Sequence, residues 1–265
     1  MGVRNLYKYF LNHIPKNSNI IKKIYLKDLI NKTIVIDSSI YIYKFFSNDG
    51  NYDNLKYNID EMINAFLSYK ITPIYVFDGK PNKLKNEKIN NRNKEYIENN
   101  TFYKPNKETF DFVKNILRRK NITYYEDIEQ EADIICAWLV KTKKAWACLS
   151  DDTDLFVYGC PRILRCYSNK TKSFMLHDLN KILNNLNLDL NELREICAVS
   201  YNDYNIKNNI NIEESFNLFY KYIKSNDNNK QFIEWLIDNN YIEYDKKYYE
   251  ILELTNIDND TFYTM

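Results

Sequence analysis

Thr33-Ile34-Val35-Ile36-Asp37 is a β-branched, apolar run that stops on a carboxylate. Such a run is too short for a free-standing helix and carries no polar face, so it predicts a strand buried on both sides. Pro73-Ile74-Tyr75-Val76-Phe77 repeats the pattern and stops on Asp78. Ala145-Trp146-Ala147-Cys148-Leu149 repeats it again, just before Ser150-Asp151-Asp152-Thr153-Asp154. A further strand is expected over Ile122–Tyr125, and Ile163–Tyr167 is expected to pair at an edge.

Helical spacing of apolar residues fills the intervals. Helices are expected at 3–13, Ser39–Phe46, Asn54–Tyr69, Glu108–Lys120 and Ile128–Lys141, with a charged, polar one over Lys83–Asn100. Beyond Asp178 the pattern is helical throughout. Strands alternating with helices imply an α/β fold: a central, mostly parallel, twisted sheet with helices on both faces, followed by a small helical C-terminal part. Ligands of such sheets bind at the carboxyl ends of the strands. Asp37, Asp78 and the pair Asp152 and Asp154 stand at those ends.

Bulk properties set the frame. The chain has 265 residues, 45% hydrophobic and 28% charged, enough for one large core or a core with an appendage. The formal net charge of +1 is low for a nucleic-acid binder, unless acids gather in one place and lysines in another. Gly (4) and Pro (5) are scarce while Asn is abundant, so tight turns must rely on Asn. The five cysteines contain no C-x-x-C pair and mostly sit in apolar runs, as expected of reduced, buried thiols. No apolar stretch is long enough to span a membrane and no signal peptide is evident. A soluble, intracellular protein is expected.

Taken singly, each strand-end acid has an ordinary explanation. Asp37 could cap the following helix, Asp78 could make an Asx turn, and Glu129 and Glu131 could be a solvated first helical turn. Jointly they point elsewhere. Two catalytic metal ions roughly 4 Å apart need several carboxylates converging on one point. Without a cation that convergence is costly. Oxygen ligands suit Mg²⁺, and the absence of a Cys/His set disfavours zinc. His13 and His177 stand alone in the sequence, and neither is expected to act in catalysis.

These segments together resemble the flap endonuclease/XPG family of structure-specific 5′ nucleases. Met1-Gly2-Val3-Arg4-Asn5-Leu6 is similar to the family's N-terminus, and Val35-Ile36-Asp37-Ser38-Ser39 to its first acidic strand. Tyr75-Val76-Phe77-Asp78-Gly79-Lys80-Pro81 is similar to its second. Glu129-Gln130-Glu131-Ala132-Asp133 resembles the Glu-Ala-Glu-Ala motif, Ser150-Asp151-Asp152-Thr153-Asp154 the acid-x-acid loop, and Tyr201-Asn202-Asp203-Tyr204 the Gly-x-Asp-Tyr motif. The resemblance implies a PIN-like fold and a metal shell of Asp37, Asp78, Glu129, Glu131, Asp152, Asp154 and Asp203, holding two Mg²⁺ with Mn²⁺ as a substitute. It implies that Lys85 and Arg92, two helical turns apart on a gateway helix, hold the scissile phosphate; a solvated charged helix is the plainer alternative. Gly2 is implied to lie at the active site, and Lys80, Lys83 and Lys88 to attract phosphates. Tyr43 either stacks on a base at the cleavage point or is a core aromatic.

The chain also departs from the family. Residues 93–128 leave little length for the arch that threads a 5′ flap, expected here as a short segment at about 83–105. No sliding-clamp motif is evident. The expected organisation is a nuclease core over 1–200 and a helical region over 201–265 with a degenerate helix-turn-helix motif. There Asn209 and Asn211 stand where the family has glycines, and Glu213 and Glu214 oppose phosphate binding. The alternative is an ordinary helix–helix turn with acids at the next helix's start.

The activity implied is Mg²⁺-dependent hydrolysis of branched DNA in replication, recombination or repair, at a nuclear or cytoplasmic site. The A/T-rich, trimmed sequence is of the kind a viral genome, and hence a viral factory, would supply. A related 5′→3′ exonuclease or exoribonuclease, or a non-catalytic DNA-binding module, are the competing expectations.

Overall fold

The computed structural model describes residues 2–16, 18–47, 49–80, 103–205, 210–225 and 230–257. Lys83, Lys85, Lys88, Arg92 and Asn209, with the whole expected gateway helix, lie outside the described residues. The strands are β1 (Ile21–Tyr25), β2 (Thr33–Asp37), β3 (Thr72–Phe77), β4 (Tyr124–Glu126), β5 (Ala147–Leu149), β6 (Arg162–Ser168) and β7 (Ser173–Asp178). They form one sheet in the order β1-β7-β6-β5-β2-β3-β4. β6, β5, β2, β3 and β4 are parallel, and β7 and β1 extend the sheet in antiparallel pairs.

Two-residue periodicity sorts the central strands between two cores. Ile34, Ile36, Tyr75, Phe77, Ala147 and Leu149 pack against α2 (Ser38–Phe46), α3 (Tyr52–Ser68) and α4 (Lys107–Arg119). Val35, Val76 and Cys148 face the other way. There they meet α1 (Leu6–His13), α5 (Ala132–Lys141), α6 (Asp154–Val157) and the later helices α7 (Leu179–Leu186), α8 (Leu190–Val199), α9 (Ile212–Lys224), α10 (Phe232–Asp238) and α11 (Lys246–Thr255). Burial on both faces is why these strands read as unbroken apolar runs. Each fully buried Leu, Ile or Phe contributes roughly 1.5–3 kcal/mol, so the sheet is a rigid platform for its carboxyl-end loops.

The helix starts and strand roles differ from the sequence expectation for identifiable reasons. α1 begins at Leu6 rather than residue 3, because Asn5 is left-handed (φ 66°) and Arg4 N–H is bonded to Tyr201 O at 3.3 Å. α5 begins at Ala132 rather than Ile128, because residues 128 and 130 bond their carbonyls to the backbone of Lys80 and Gly79. β6 is interior, since β7 and β1 cover the edge it was expected to form. β1 itself, Ile-Lys-Lys-Ile-Tyr, was unreadable as a strand because edge strands carry charge to discourage further pairing. The expected use of Asn in turns is realised at Asn5, Asn31, Asn121, Asn187 and Asn240, all with positive φ. Cys136, Cys148, Cys160 and Cys197 are buried thiols, whereas Cys166 is exposed.

His177 on β7 is fully buried, edge-on to Tyr7 (5.4 Å) and Phe156 (5.8 Å), with Nδ1 donating to Met175 O at 3.1 Å. Burial, with the Arg165 charge nearby, holds its pKa down to about 4. Its neutral form therefore favours folding fully above the ordinary value of 6.5, and that contribution is lost as pH falls toward 4. In urea unfolding at pH 7.5, 6.5, 5 and 4, the parent should lose on the order of 3 kcal/mol more than a His177→Gln variant across that window. Parallel pH profiles would contradict the assignment.

Candidate metal centre

Four adjacent parallel strands deliver acids to one edge of the sheet. Asp37 ends β2, Asp78 follows β3, the loop after β4 carries Glu129 and Glu131, and the loop after β5 carries Asp152 and Asp154. Asp37 is 5% exposed, precedes α2 without capping it, and accepts a hydrogen bond from Ser150 Oγ at 2.9 Å. The same Ser150 Oγ accepts Asp152 N–H at 3.0 Å, and Asp152 Oδ1 accepts Asp154 N–H at 3.0 Å. Asp78 takes the Ser39 hydroxyl on one oxygen and Ala132 N–H, at 2.9 Å, on the other. Asp78 thus satisfies the start of α5 from a different element, which locks the β3 end to the β4–α5 loop.

The acids are close enough to repel. Asp133, Asp152 and Asp154 each place a carboxylate oxygen within 4.8 Å of the others'. Two unit charges at that distance repel by on the order of 3 kcal/mol even at an effective dielectric of about 20. Burial, and then the charges of Asp78, Asp133 and Asp152, push the Asp37 carboxyl well above the usual carboxylate range. A bound divalent cation reverses this penalty. The donors are carboxylate oxygens without thiol or imidazole, which fits a hard ion such as Mg²⁺.

The structure brings Asp37, Asp78, Asp152 and Asp154 together with Asp133, a residue not among the expected ligands. Asp133 lies in the first turn of α5 and is 7% exposed. Its signal was its place two residues beyond Glu131, readable only once the helix start at Ala132 is known. Glu131 is buried at the α5 N-cap. Glu129 stands further out, exposed and paired with Lys80 at 3.1 Å. Asp203 lies outside the tight triplet, against Gly2: a Cβ there would stand 2.8 Å from its Oδ1. Tyr43 is half-buried on α2.

The C-terminal turn takes the plainer form. Asn211 is extended (φ −81°), not left-handed, and caps α9 by accepting Glu214 N–H at 3.0 Å. Glu213 lies 3.4 Å from His13 Nε2.

Gly79 explains how the Glu129–Glu131 loop is held. Gly79 N–H donates to Gln130 O (2.9 Å) and Lys80 N–H to Ile128 O (2.8 Å). A Cβ on Gly79 would stand 2.0 Å from Asp127 O and 2.7 Å from Gln130 O. Only glycine permits this approach of two backbones.

The model of the XPG N-terminal domain matches residues 1–99, and that of the XPG I-region matches residues 122–203. Flap endonuclease 1 of Methanococcus aeolicus is 31% identical over 240 residues, covering 78% of this chain and 70% of the relative. The Rad2 catalytic core in complex with a DNA substrate superposes with a TM-score of 0.73 at 20% identity, covering 98% of this chain and 88% of that one. Human GEN1 in complex with Holliday junction DNA gives 0.70 at 18% identity, covering 96% and 66%. At those identities the likeness to the solved structures is one of fold.

Gly79→Ala must push the acid loop away from the β3 end. Affinity for Mn²⁺, measured by calorimetry, should fall on the order of 10- to 100-fold, the usual cost of disturbing what supports a metal ligand. Far-ultraviolet circular dichroism should stay unchanged. Parental affinity in a folded variant would show that the loop does not serve the metal.

Proposed function

This chain belongs to the XPG-type flap endonuclease family of metal-dependent, structure-specific nucleases, and we propose that it cuts DNA at single-strand/double-strand junctions in replication, recombination or repair. One observation carries the proposal: Asp152 and Asp154 from the loop after β5 and Asp133 from the first turn of α5 bring carboxylate oxygens within 4.8 Å of one another, in a chain matched by both XPG regions.

Two Mg²⁺ ions, replaceable by Mn²⁺, are the proposed cofactors. Asp37, Asp78, Glu131, Asp152 and Asp154 would hold them with Asp133, and Glu129 and Asp203 would contribute from the rim. Bound there, the ions would supply a more acidic attacking water and positive charge for the leaving 3′-oxygen. The product would carry a 5′-phosphate.

The protein's own groups supply the rest. Lys85 and Arg92 are proposed to hold the scissile phosphate, Arg92 through its fork and Lys85 as a point charge. Lys80, Lys83 and Lys88 add phosphate attraction that does not depend on sequence. Lys80 pairs with Glu129 across 3.1 Å, and with Glu129 turned to a metal it would be available to a phosphate. Tyr43 is proposed to stack on a base beside the cut. Gly2 keeps the space beside Asp203 open, where any side chain would press on that carboxylate. The capping engagement of Asn211 and the paired Glu213 support a weak grip on duplex DNA by residues 201–265, so that the nuclease core over 1–200 does most of the binding. No helix among the described residues is long and apolar enough to cross a membrane.

Labelled 5′-flap DNA and 5′-phosphorylated RNA, offered in parallel with Mg²⁺, test the proposal. Cleavage near the flap junction is expected, and preferential degradation of the RNA from its 5′ end would overturn it. Asp78→Asn and Asp152→Asn should abolish flap cutting while leaving most DNA affinity, because affinity comes mainly from phosphate contacts. Normal turnover in either variant removes that residue from the metal shell.

Arg92→Ala should slow single-turnover cleavage far more than Asn91→Ala. Charge builds on the phosphate in the transition state, and removing one donor aimed there typically costs about 10²–10³ in rate. Equal, small effects would return Arg92 to a solvated helix face.

A further inference from the structure

Arg165 is a buried cation whose two Nη groups donate to backbone rather than to acids. It sits on β6, 6% exposed, with its guanidinium 4.4 Å above the Tyr7 ring and 5.9 Å from that of Phe156. Nη1 donates to Asp152 O at 3.2 Å and Nη2 to Asp151 O at 2.5 Å. β6 runs parallel to β5 with Leu164 beside Leu149, so the next residue, Arg165, stands where β5 ends and the acid loop begins. The pairing of β6 with β7 slips between Arg165 and Ser168, and Cys166 adopts φ 56°. That bulge turns Cys166 N–H toward the loop, where it donates to Asp151 Oδ1 at 2.7 Å.

We propose that Arg165 and the bulge at Cys166 are positioning elements for the metal centre, Arg165 clamping the backbone of Asp151 and Asp152 and Cys166 N–H holding the Asp151 side chain, so that the Asp152 and Asp154 carboxylates stay aimed at the cation. The proposal rests on the assignment of those two acids to the metal shell. The chemistry favours arginine here. Its planar fork reaches two successive carbonyls at once, which a lysine ammonium on a single stem does not. An arginine bonded to the carboxylates themselves would compete with the metal. Bonded to the carbonyls behind them, it leaves the carboxylate oxygens available and still sets a full positive charge near mutually repelling acids. The aromatic rings on Tyr7 and Phe156 hold the guanidinium in place.

The test uses the full chain with Mn²⁺ as the probe, binding measured by calorimetry without DNA, and Mg²⁺ titrated in flap cleavage. Arg165→Met should weaken Mn²⁺ binding and raise the half-saturating Mg²⁺ on the order of 10- to 100-fold, with turnover largely recovered at high Mg²⁺. Arg165→Lys, which keeps the charge and loses the fork, should fall between parent and Met. Folded Arg165 variants with parental Mn²⁺ affinity and Mg²⁺ dependence would overturn the proposal. Half-exposed Asp151 tests the clamp without opening the core: Asp151→Ala loses the acceptor for Cys166 N–H, whereas Asp151→Asn keeps it and loses only charge. Ala should therefore weaken Mn²⁺ binding more than Asn, and equal effects would overturn the clamp even if the Arg165 variants fail to fold. Asp152→Asn separates the two levels. If it binds Mn²⁺ like the parent, the metal assignment falls and takes the clamp with it. If it loses Mn²⁺ while the Arg165 variants do not, only the clamp falls.

Discussion

Mutual repulsion among carboxylates is the constraint around which this molecule is organised. Asp37, Asp78, Asp133, Asp152 and Asp154 are drawn to one edge of the sheet, where burial and like charge push the Asp37 carboxyl far up. A flexible chain would relieve such crowding by moving apart. This one does not, because all but Asp133 hang from strand ends of a sheet packed on both faces, and Asp133 from a helix packed on it, so that shifting a strand would break two cores at once. The stability of the platform is spent on keeping a cation-binding arrangement ready.

Hydrogen bonds distribute that constraint over the loops. Ser150 ties Asp37 to Asp152, and Asp78 ties the β3 end to the start of α5. Gly79 lets the Glu129–Glu131 loop dock backbone to backbone. These donors are serine hydroxyls and main-chain amides, so they orient carboxylates without neutralising them. Lys80, by contrast, pairs with Glu129 in a solvent-exposed ion pair, which contributes little to stability.

The composition shapes how this fold is built. With four glycines in the chain, left-handed positions fall mostly to other residues: Asn5, Asn31, Asn121, Asn187 and Asn240, and also Lys70, Lys143, Cys166 and Lys172. Glycine remains at Gly50 and Gly159, both left-handed, and at Gly79, where backbone carbonyls leave no room for a Cβ. Substituting Asn for Gly costs little in a turn, where only φ matters, and much where two chains touch.

The central strands and most helices were legible from sequence alone because their signals are local. β2 spans Thr33–Asp37 as its apolar run predicts, and the positions of Asp37, Asp78, Asp152 and Asp154 at the ends of neighbouring strands were readable from the same runs. β1, β7 and the interior place of β6 were not legible, since pairing partners are set by packing and an edge strand has no distinctive pattern of its own. Asp133 escaped for a related reason. Whether it faces the acids depends on where α5 starts, and that is set by distant contacts: the backbone bonds of residues 128 and 130 to Lys80 and Gly79, and the hydrogen bond from Ala132 N–H to Asp78, 54 residues away. Arg165 reads in sequence as one more strand residue, and Asn211 as a candidate left-handed turn. What the local sequence determines is which segments become strands and helices and which ends carry charge. Which side chains meet is decided by the tertiary fold, because burial, registry and long-range hydrogen bonds exist only once distant segments have closed on each other.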